Sequence, residues 1–339
     1  MLRLGSIVDN CVLVKDGVSI IPGLPESMND YLNSQETAWL DLKGGEYFSK
    51  KQYVPPVKNA GKDQNFFVPK GEIYFNNICS EFLAKALNQI DVFSKQELII
   101  EDQHDFFYSN PKSFEKFKDK KIMIVCGGPS TNDVNWQALE YDCLWTCNEY
   151  YKNDKLKDER VDFATLAPIV DLESKELRKR IKKDKTTVSF PIIQNYVYDN
   201  EDLNPVNAFT KEFADQSSQW YTRYSSVIGT GVRMIPLAIF AGAKEIYFVG
   251  VDGRTDMEKD GSLLHSFDGA KPLPSWYKAY GSRFQVRQNV IFWEYMESLK
   301  KRYNFSLFNL GEGKEYNSLT PGSKALCPLP EEIKERIKC

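Results

Sequence analysis

From Lys121 onward the chain alternates short apolar runs with longer stretches of helical character, and this alternation constrains the fold more than any other feature. The runs KIMIVC (121–126), CLWTCN (143–148), VDFATL (161–166), TVSFPII (187–193), EIYFVGV (245–251) and FSLFNL (305–310) are rich in β-branched and aromatic residues and read as strands. Strands that are apolar throughout and separated by helices belong in a parallel sheet covered on both faces. The expected fold is therefore α/β, a doubly wound and mostly parallel sheet.

Residues 1–115 have a different texture. CVLVKDGVSII (11–21) places Asp16-Gly17 between β-branched runs and predicts a hairpin, and a polar stretch with Pro55-Pro56 and Gly61 follows. In Ile73–Ile90 the residues Ile78, Phe82, Leu83, Leu87 and Ile90 recur at helical spacing. The charged segment FEKFKDKK (114–121) leads into the first parallel strand. The expected organisation is an N-terminal accessory α+β region, residues 1–115, and a nucleotide-binding catalytic domain, residues 116–339.

Composition narrows the function. With 339 residues, 42% of them hydrophobic, and a net charge of -3, the chain has the length of about two domains at ~100–200 residues each and no global attraction to nucleic acid or an anionic membrane. Its longest apolar stretch, Met234–Ala243, is far below the ~18 residues of a membrane span, and the N-terminus lacks a signal-peptide core, so a cytoplasmic location is expected. Seven cysteines form no CxxC pair and the two histidines are His104 and His265, which argues against a zinc cluster, a disulfide framework or a multi-histidine metal site. Segment 171–185, with seven basic and four acidic side chains, reads as a solvated helix face.

Three motifs carry chemistry. In IVCGGPSTND (124–133), Gly127 and Gly128 allow close backbone approach after the first strand, and Ser130, Thr131 or Asn132 can cap a following helix, together an anion cradle. In LWTCNEYY (144–151), Asn148 falls at the carboxyl edge of the next strand, where an amide can read a base or a sugar hydroxyl, or cap a turn; Tyr150 and Tyr151 read as packing. In residues 225–253, Thr230 and Gly231 open an apolar helix whose Val232, Ile235, Ile239 and Phe240 would face the sheet, while Pro236 implies a kink or a late start. Asp252 ends the next strand, as a ligand-edge carboxylate or a loop cap. Ser130 has neither a G-x-S-x-G elbow nor a base, which excludes it as a hydrolase nucleophile, and Asp252, Asp256 and Asp268 do not make a compact metal cage.

The order GGPS, TCNEYY, GTGVRMIPLAIFAGAKEIYFVGVDG and HSFDG resembles the bacterial sialyltransferases that decorate lipooligosaccharide, across about residues 121–312. It is also similar to the Rossmann-like group of flagellin-modifying glycosyltransferases and archaeal hydroxymethylpterin pyrophosphokinases. The resemblance places a nucleotide turn on Gly127, Gly128, Pro129 and Ser130, a base- or ribose-reading amide on Asn148, and a helix opening on Gly229, Thr230 and Gly231. Four positions depart from the sialyltransferase pattern: Gly127 stands for an asparagine, Arg254 and His265 stand for two phosphate-holding tyrosines, and Arg287 lies where the catalytic histidine would be.

These departures argue against CMP-sialic acid and for a diphosphate donor, because a guanidinium and a protonated imidazole both donate to phosphate. The implied activity is transfer of a sugar from a nucleotide-sugar to a hydroxyl of a glycan, a protein or a modified nucleobase. Arg254 and His265 would meet the departing phosphate, and Asp252 or Asp268 would take the proton. No tightly bound cofactor and no obligatory divalent metal are expected, and residues 1–115 would recognise acceptor or form a homo-oligomer. Two alternatives stay open: an ATP-dependent pyrophosphokinase acting on a pterin-like alcohol with Mg²⁺, and a non-catalytic nucleotide-binding module.

Overall fold

A computed structural model of the chain describes residues 37–41, 46–49, 53–54, 98–101, 106–167, 170–191, 204–222, 230–252, 265–267, 292–293, 296–297, 299–314, 324 and 326–339. The hairpin expected at 11–21, the helix expected at 73–90 and His104 lie outside them. Strands β1 (Thr37–Asp41), β2 (Glu46–Ser49) and β3 (Tyr53–Val54) make a three-stranded antiparallel sheet.

The remaining strands are β4 (Leu98–Glu101), β5 (Phe106–Ser109), β6 (Lys121–Val125), β7 (Cys143–Cys147), β8 (Phe163–Thr165), β9 (Thr187–Pro191), β10 (Ser217–Thr222), β11 (Glu245–Val249) and β12 (Ser306–Asn309). They form one nine-stranded sheet in the order β12-β11-β6-β7-β8-β9-β10-β5-β4. From β12 to β10 every neighbouring pair is parallel, whereas β5 pairs antiparallel with β10 and β4 antiparallel with β5. The fold is α/β and doubly wound, and all six runs read as strands in the sequence take their places in it.

Side chains alternate between two cores, one on each face of the sheet. On one face, Ile122 and Ile124 of β6, Trp145 of β7, Phe163 of β8 and Phe248 of β11 pack with α4 (Thr230–Phe240). On the other, Met123, Val125, Leu144, Ala164, Tyr247 and Val249 pack with α2 (Lys175–Asp184), α3 (Asn204–Glu212) and α5 (Glu331–Arg336). A short helix α1 (Lys112–Glu115) precedes β6. Trp145 and Phe163 lie 4.2 Å apart between ring centroids, and full burial of such side chains stabilises by about 1.5–3 kcal/mol each.

Local chemistry explains the helices. Ser174 caps α2 by accepting from the Leu177 amide, Leu177 and Ile181 point inward, and Lys185 ends the helix in the left-handed region at φ 56°. The exposed lysines 175, 179, 182 and 183 confirm its outer face as solvated. Residues 230–239 of α4 are all buried, and Pro236 sits inside an uninterrupted helix rather than marking a late start.

Two expectations need correction. In place of the helix expected after GGPS there are two 3-10 turns, Pro129–Thr131 and Trp136–Ala138. β4 and β5 precede residue 115 yet hydrogen-bond onto the main sheet, so that sheet crosses the boundary expected there. Ser217, Ser218 and Gln219 of β10 are buried but polar, which hid the strand from an apolar-run reading. Three of its polar groups are met by neighbours: Ser218 Oγ donates to Ser189 Oγ at 2.9 Å, Trp220 Nε1 to Thr165 Oγ1 at 3.0 Å, and the Gln219 backbone amide to Ser109 Oγ at 3.0 Å.

Candidate functional site at the carboxyl edge

The chain steps from β6 through β10 in one direction and then returns by α4 to place β11 on the other side of β6. The reversal between β6 and β11 is a topological switch point, where open α/β sheets hold ligands beyond the strand carboxyl ends. All the described motif residues converge on this edge.

Between β6 and β11 the two loops are joined to each other. The Gly128 amide donates to the Gly250 carbonyl at 2.9 Å, the Gly250 amide to Ser130 Oγ at 3.0 Å, and the Ser130 amide to Asp252 Oδ2 at 3.1 Å. Gly250 has φ 68°, and a Cβ there would lie 2.2 Å from both the Cys126 carbonyl and Thr131 Oγ1. A Cβ on Gly128 would lie 2.4 Å from Asp252 Oδ2 and 2.5 Å from the Gly250 carbonyl. The close approach that Gly128 permits is thus that of the neighbouring loop. Ser130 is fully buried, and Asp252, 5% exposed, takes the cap role, although it caps the turn after β6 rather than its own loop.

At the β7 side, Asn148 has φ 54°, a left-handed conformation that asparagine tolerates better than most residues. Its Oδ1 accepts from the Ala167 amide at 2.9 Å, and since an N–H must meet an acceptor this orients the side chain; Nδ2 makes no hydrogen bond among the described residues. Directly after it, Glu149 is buried and pairs with Lys152 at 2.7 Å, which holds the lysine above its ordinary pKa. Tyr150 is buried and Tyr151 packs beside it, as expected.

Residues 265–267 lie across the β6 loop. His265 Nδ1 is 3.2 Å from the Gly127 carbonyl, which can only accept, so Nδ1 carries the proton. The Ser266 amide donates to the same carbonyl at 2.9 Å, its own carbonyl accepts from Asn132 Nδ2 at 3.2 Å, and its hydroxyl accepts from Asn153 Nδ2 at 3.3 Å. A Cβ on Gly127 would lie 3.0 Å from the Phe267 ring, so the space a side chain would take is filled by an aromatic from this strap. Lys155 Nζ donates to the carbonyls of Thr131 and Asn132, at 2.8 and 3.1 Å, and anchors the far end of the turn.

Thr230 and Gly231 open α4 at the same edge, and a Cβ on Gly231 would lie 2.7 Å from Cys126 Sγ. Gly229, Arg254 and Asp268 lie outside the described residues. The structure brings together Gly127, Gly128, Pro129, Ser130, Asn148, Thr230, Gly231, Asp252 and His265 on one edge. Sequence reasoning missed Ser266, Phe267 and Lys155; the adjacency of Ser266 and Phe267 to His265 was the available signal. Among the described residues no group of three or more His, Cys, Asp or Glu side chains is placed to hold a metal ion, and no helix is long and apolar enough to cross a membrane.

The chain is similar to solved sialyltransferases of Campylobacter jejuni. CstII in complex with CMP-3FNeuAc matches at 19% identity and TM-score 0.40, over 62% of this chain and 86% of that one. The monofunctional α-2,3-sialyltransferase Cst-I matches at 17% identity and TM-score 0.39, over 64% and 82%. No protein-family model and no curated protein matches the chain.

Proposed function

We infer that the protein is a glycosyltransferase that uses a nucleotide-sugar, with the donor's nucleotide at the carboxyl edge of the nine-stranded sheet. The observation that supports this reading is the convergence there of Asn148, the α4 opening at Thr230 and Gly231, and the contact of His265 with Gly127, residues that the sequence resemblance assigns to a nucleotide. Because the β6 and β11 loops are occupied with each other, the nucleotide lies towards β7 and α4. Asn148 Nδ2 then reads the base or ribose, and the α4 terminus faces the phosphates.

In the transfer, the acceptor oxygen bonds to the anomeric carbon, the bond from that carbon to the phosphate oxygen breaks, and the acceptor proton passes to a carboxylate. The Gly127 carbonyl fixes the His265 ring through Nδ1, so that Nε2, when protonated, donates to the departing phosphate, with Arg254 as the second donor. Asp252 holds the loops, which leaves Asp268 as the proposed base. Residues 1–97, which precede the strands of the main sheet, are the proposed acceptor or assembly region.

The test is turnover. Incubated with CMP-, UDP- and GDP-sugars and a mixed pool of glycan and protein acceptors, the protein is expected to release nucleotide from one of them. Consumption of ATP to AMP with Mg²⁺ and of no sugar nucleotide would overturn the reading in favour of pyrophosphoryl transfer. Nucleotide binding without any turnover would overturn it in favour of a regulatory module.

A further inference from the structure

Cys126 and Cys147 are 21 residues apart in sequence, and their sulfurs lie 3.6 Å apart. The reason is register. β6 and β7 pair in parallel with Ile122 beside Cys143 and Ile124 beside Trp145, so continuing the same step sets Cys126 level with Cys147 on neighbouring chains. Both side chains face the α4 side of the sheet, as the alternation along each strand requires. Strands pair at ~4.8 Å, inside the Cα separation of ~4.4–6.8 Å that a disulfide spans. The two thiols need only close on each other from hydrogen-bond distance.

The pair also sits where a change would be felt. Cys126 is followed directly by Gly127, and Cys147 by Asn148. The Cys126 carbonyl accepts from Thr131 Oγ1 at 2.7 Å, and its sulfur lies beneath Gly231 at the opening of α4. One residue thus touches the β6 loop, the β7 end and the helix opening. Neither thiol has a part in the transfer chemistry above.

We propose that Cys126 and Cys147 are a reversible modification site, a thiol pair that a low-molecular-weight disulfide oxidises to a bridge and that thereby controls nucleotide binding at the adjoining edge. Cys147 is partly exposed and Cys126 is buried, so the incoming disulfide meets Cys147 first. The Cys147 thiolate attacks one sulfur of that disulfide, a mixed disulfide forms, and one thiol of the reagent leaves. The Cys126 thiolate then attacks the Cys147 sulfur, the bridge forms, and the second reagent thiol leaves. Two protein thiols are oxidised and one reagent disulfide is reduced to two thiols. The hydrogen bond with Cys147, then burial, holds the Cys126 thiol well above its ordinary pKa, which assigns it the second, resolving step. Closure from 3.6 Å to the ~2.05 Å of an S–S bond draws together the strand ends that carry Gly127 and Asn148.

The test uses the full chain and glutathione as the probe. Folded protein is equilibrated in mixtures running from fully reduced to fully oxidised glutathione, free thiols are alkylated, and peptides are mapped without reduction. The expected result is a linked peptide pair containing Cys126 and Cys147 that reductant removes, and that Cys147→Ser protein never forms. Cys126 still a free thiol in fully oxidised glutathione, whether or not Cys147 carries glutathione, would overturn the site. This arm is independent of the nucleotide reading; the control function rests on it. Nucleotide affinity of the bridged and reduced forms is expected to differ by about five- to 150-fold, the ordinary range for coupling between two sites. Equal affinity in both forms would overturn the control role, whereas no nucleotide binding by either form would count against the proposed function and leave the bridge standing.

Discussion

Two junctions meet at β6, and they are built to opposite ends. On the β11 side, glycine, serine and aspartate are spent on the protein itself: Gly128, Ser130, Gly250 and Asp252 close one loop on the other by three hydrogen bonds of 2.9 to 3.1 Å. On the β7 and α4 side, Asn148 commits one end of its amide to Ala167, and Gly231 clears space above Cys126. A glycine-rich turn after a strand looks the same in sequence whether its amides meet a phosphate or the neighbouring loop. What separates the cases is the partner strand, here β11, more than 120 residues away along the chain.

The largest effect that would break this comparison is at Gly250. Gly250→Ala forces a Cβ into the Cys126 carbonyl at φ 68°, and steric strain at such a site places the loss of stability at roughly 3–5 kcal/mol in chemical denaturation. A loss under 1 kcal/mol would show that the loops are not closed as described.

Truncation comes next. Removing residues 1–97 leaves β4 and β5 in the sheet and is expected to give a folded protein. Removing residues 1–115 strips both strands from β10 and takes away the Ser109 hydroxyl that accepts from the Gln219 amide, so that fragment should aggregate or melt well below the first. Equal melting temperatures would return the boundary to residue 115.

His265→Ala is expected to lower turnover by ~10²–10³ with a smaller change in donor binding, because the charge it meets develops in the transition state. A surface loop histidine would show no such split. Asp252→Asn, by contrast, removes a charge-assisted acceptor from the Ser130 amide and is expected to cost about 1.5–3 kcal/mol of stability. If Asp252 were the base instead of a clamp, turnover would collapse while stability held.

The fold was legible where burial is apolar. Each of β6, β7, β8, β11 and β12 carries consecutive apolar residues because both faces of the sheet are covered, whereas in β9 Val188 and Phe190 face one core and Thr187 and Ser189 alternate with them. β10 was not legible, since its buried Ser218 and Gln219 are matched by Ser189 and Ser109 on the neighbouring strands, a fact of tertiary pairing. Asn148 was legible as an edge residue, because the end of a strand locates it. The Phe267 ring over Gly127 and the meeting of Cys126 with Cys147 were not, since each depends on register or on a loop that returns from far along the chain.

The smallest change, and the most direct measurement, is at Asn148. Asn148→Gly keeps a residue suited to φ 54° and removes only the amide, so backbone strain is separated from ligand contact. Wild type and variant are melted with CMP, UDP, GDP, ADP and ATP, each with and without Mg²⁺. For the nucleotide that the site takes, a concentration of 100 times the dissociation constant adds about 2.7 kcal/mol to the wild type. The account predicts that stabilisation in the wild type and most of it lost in the variant; equal stabilisation of both, or none in the wild type by any nucleotide, would contradict it.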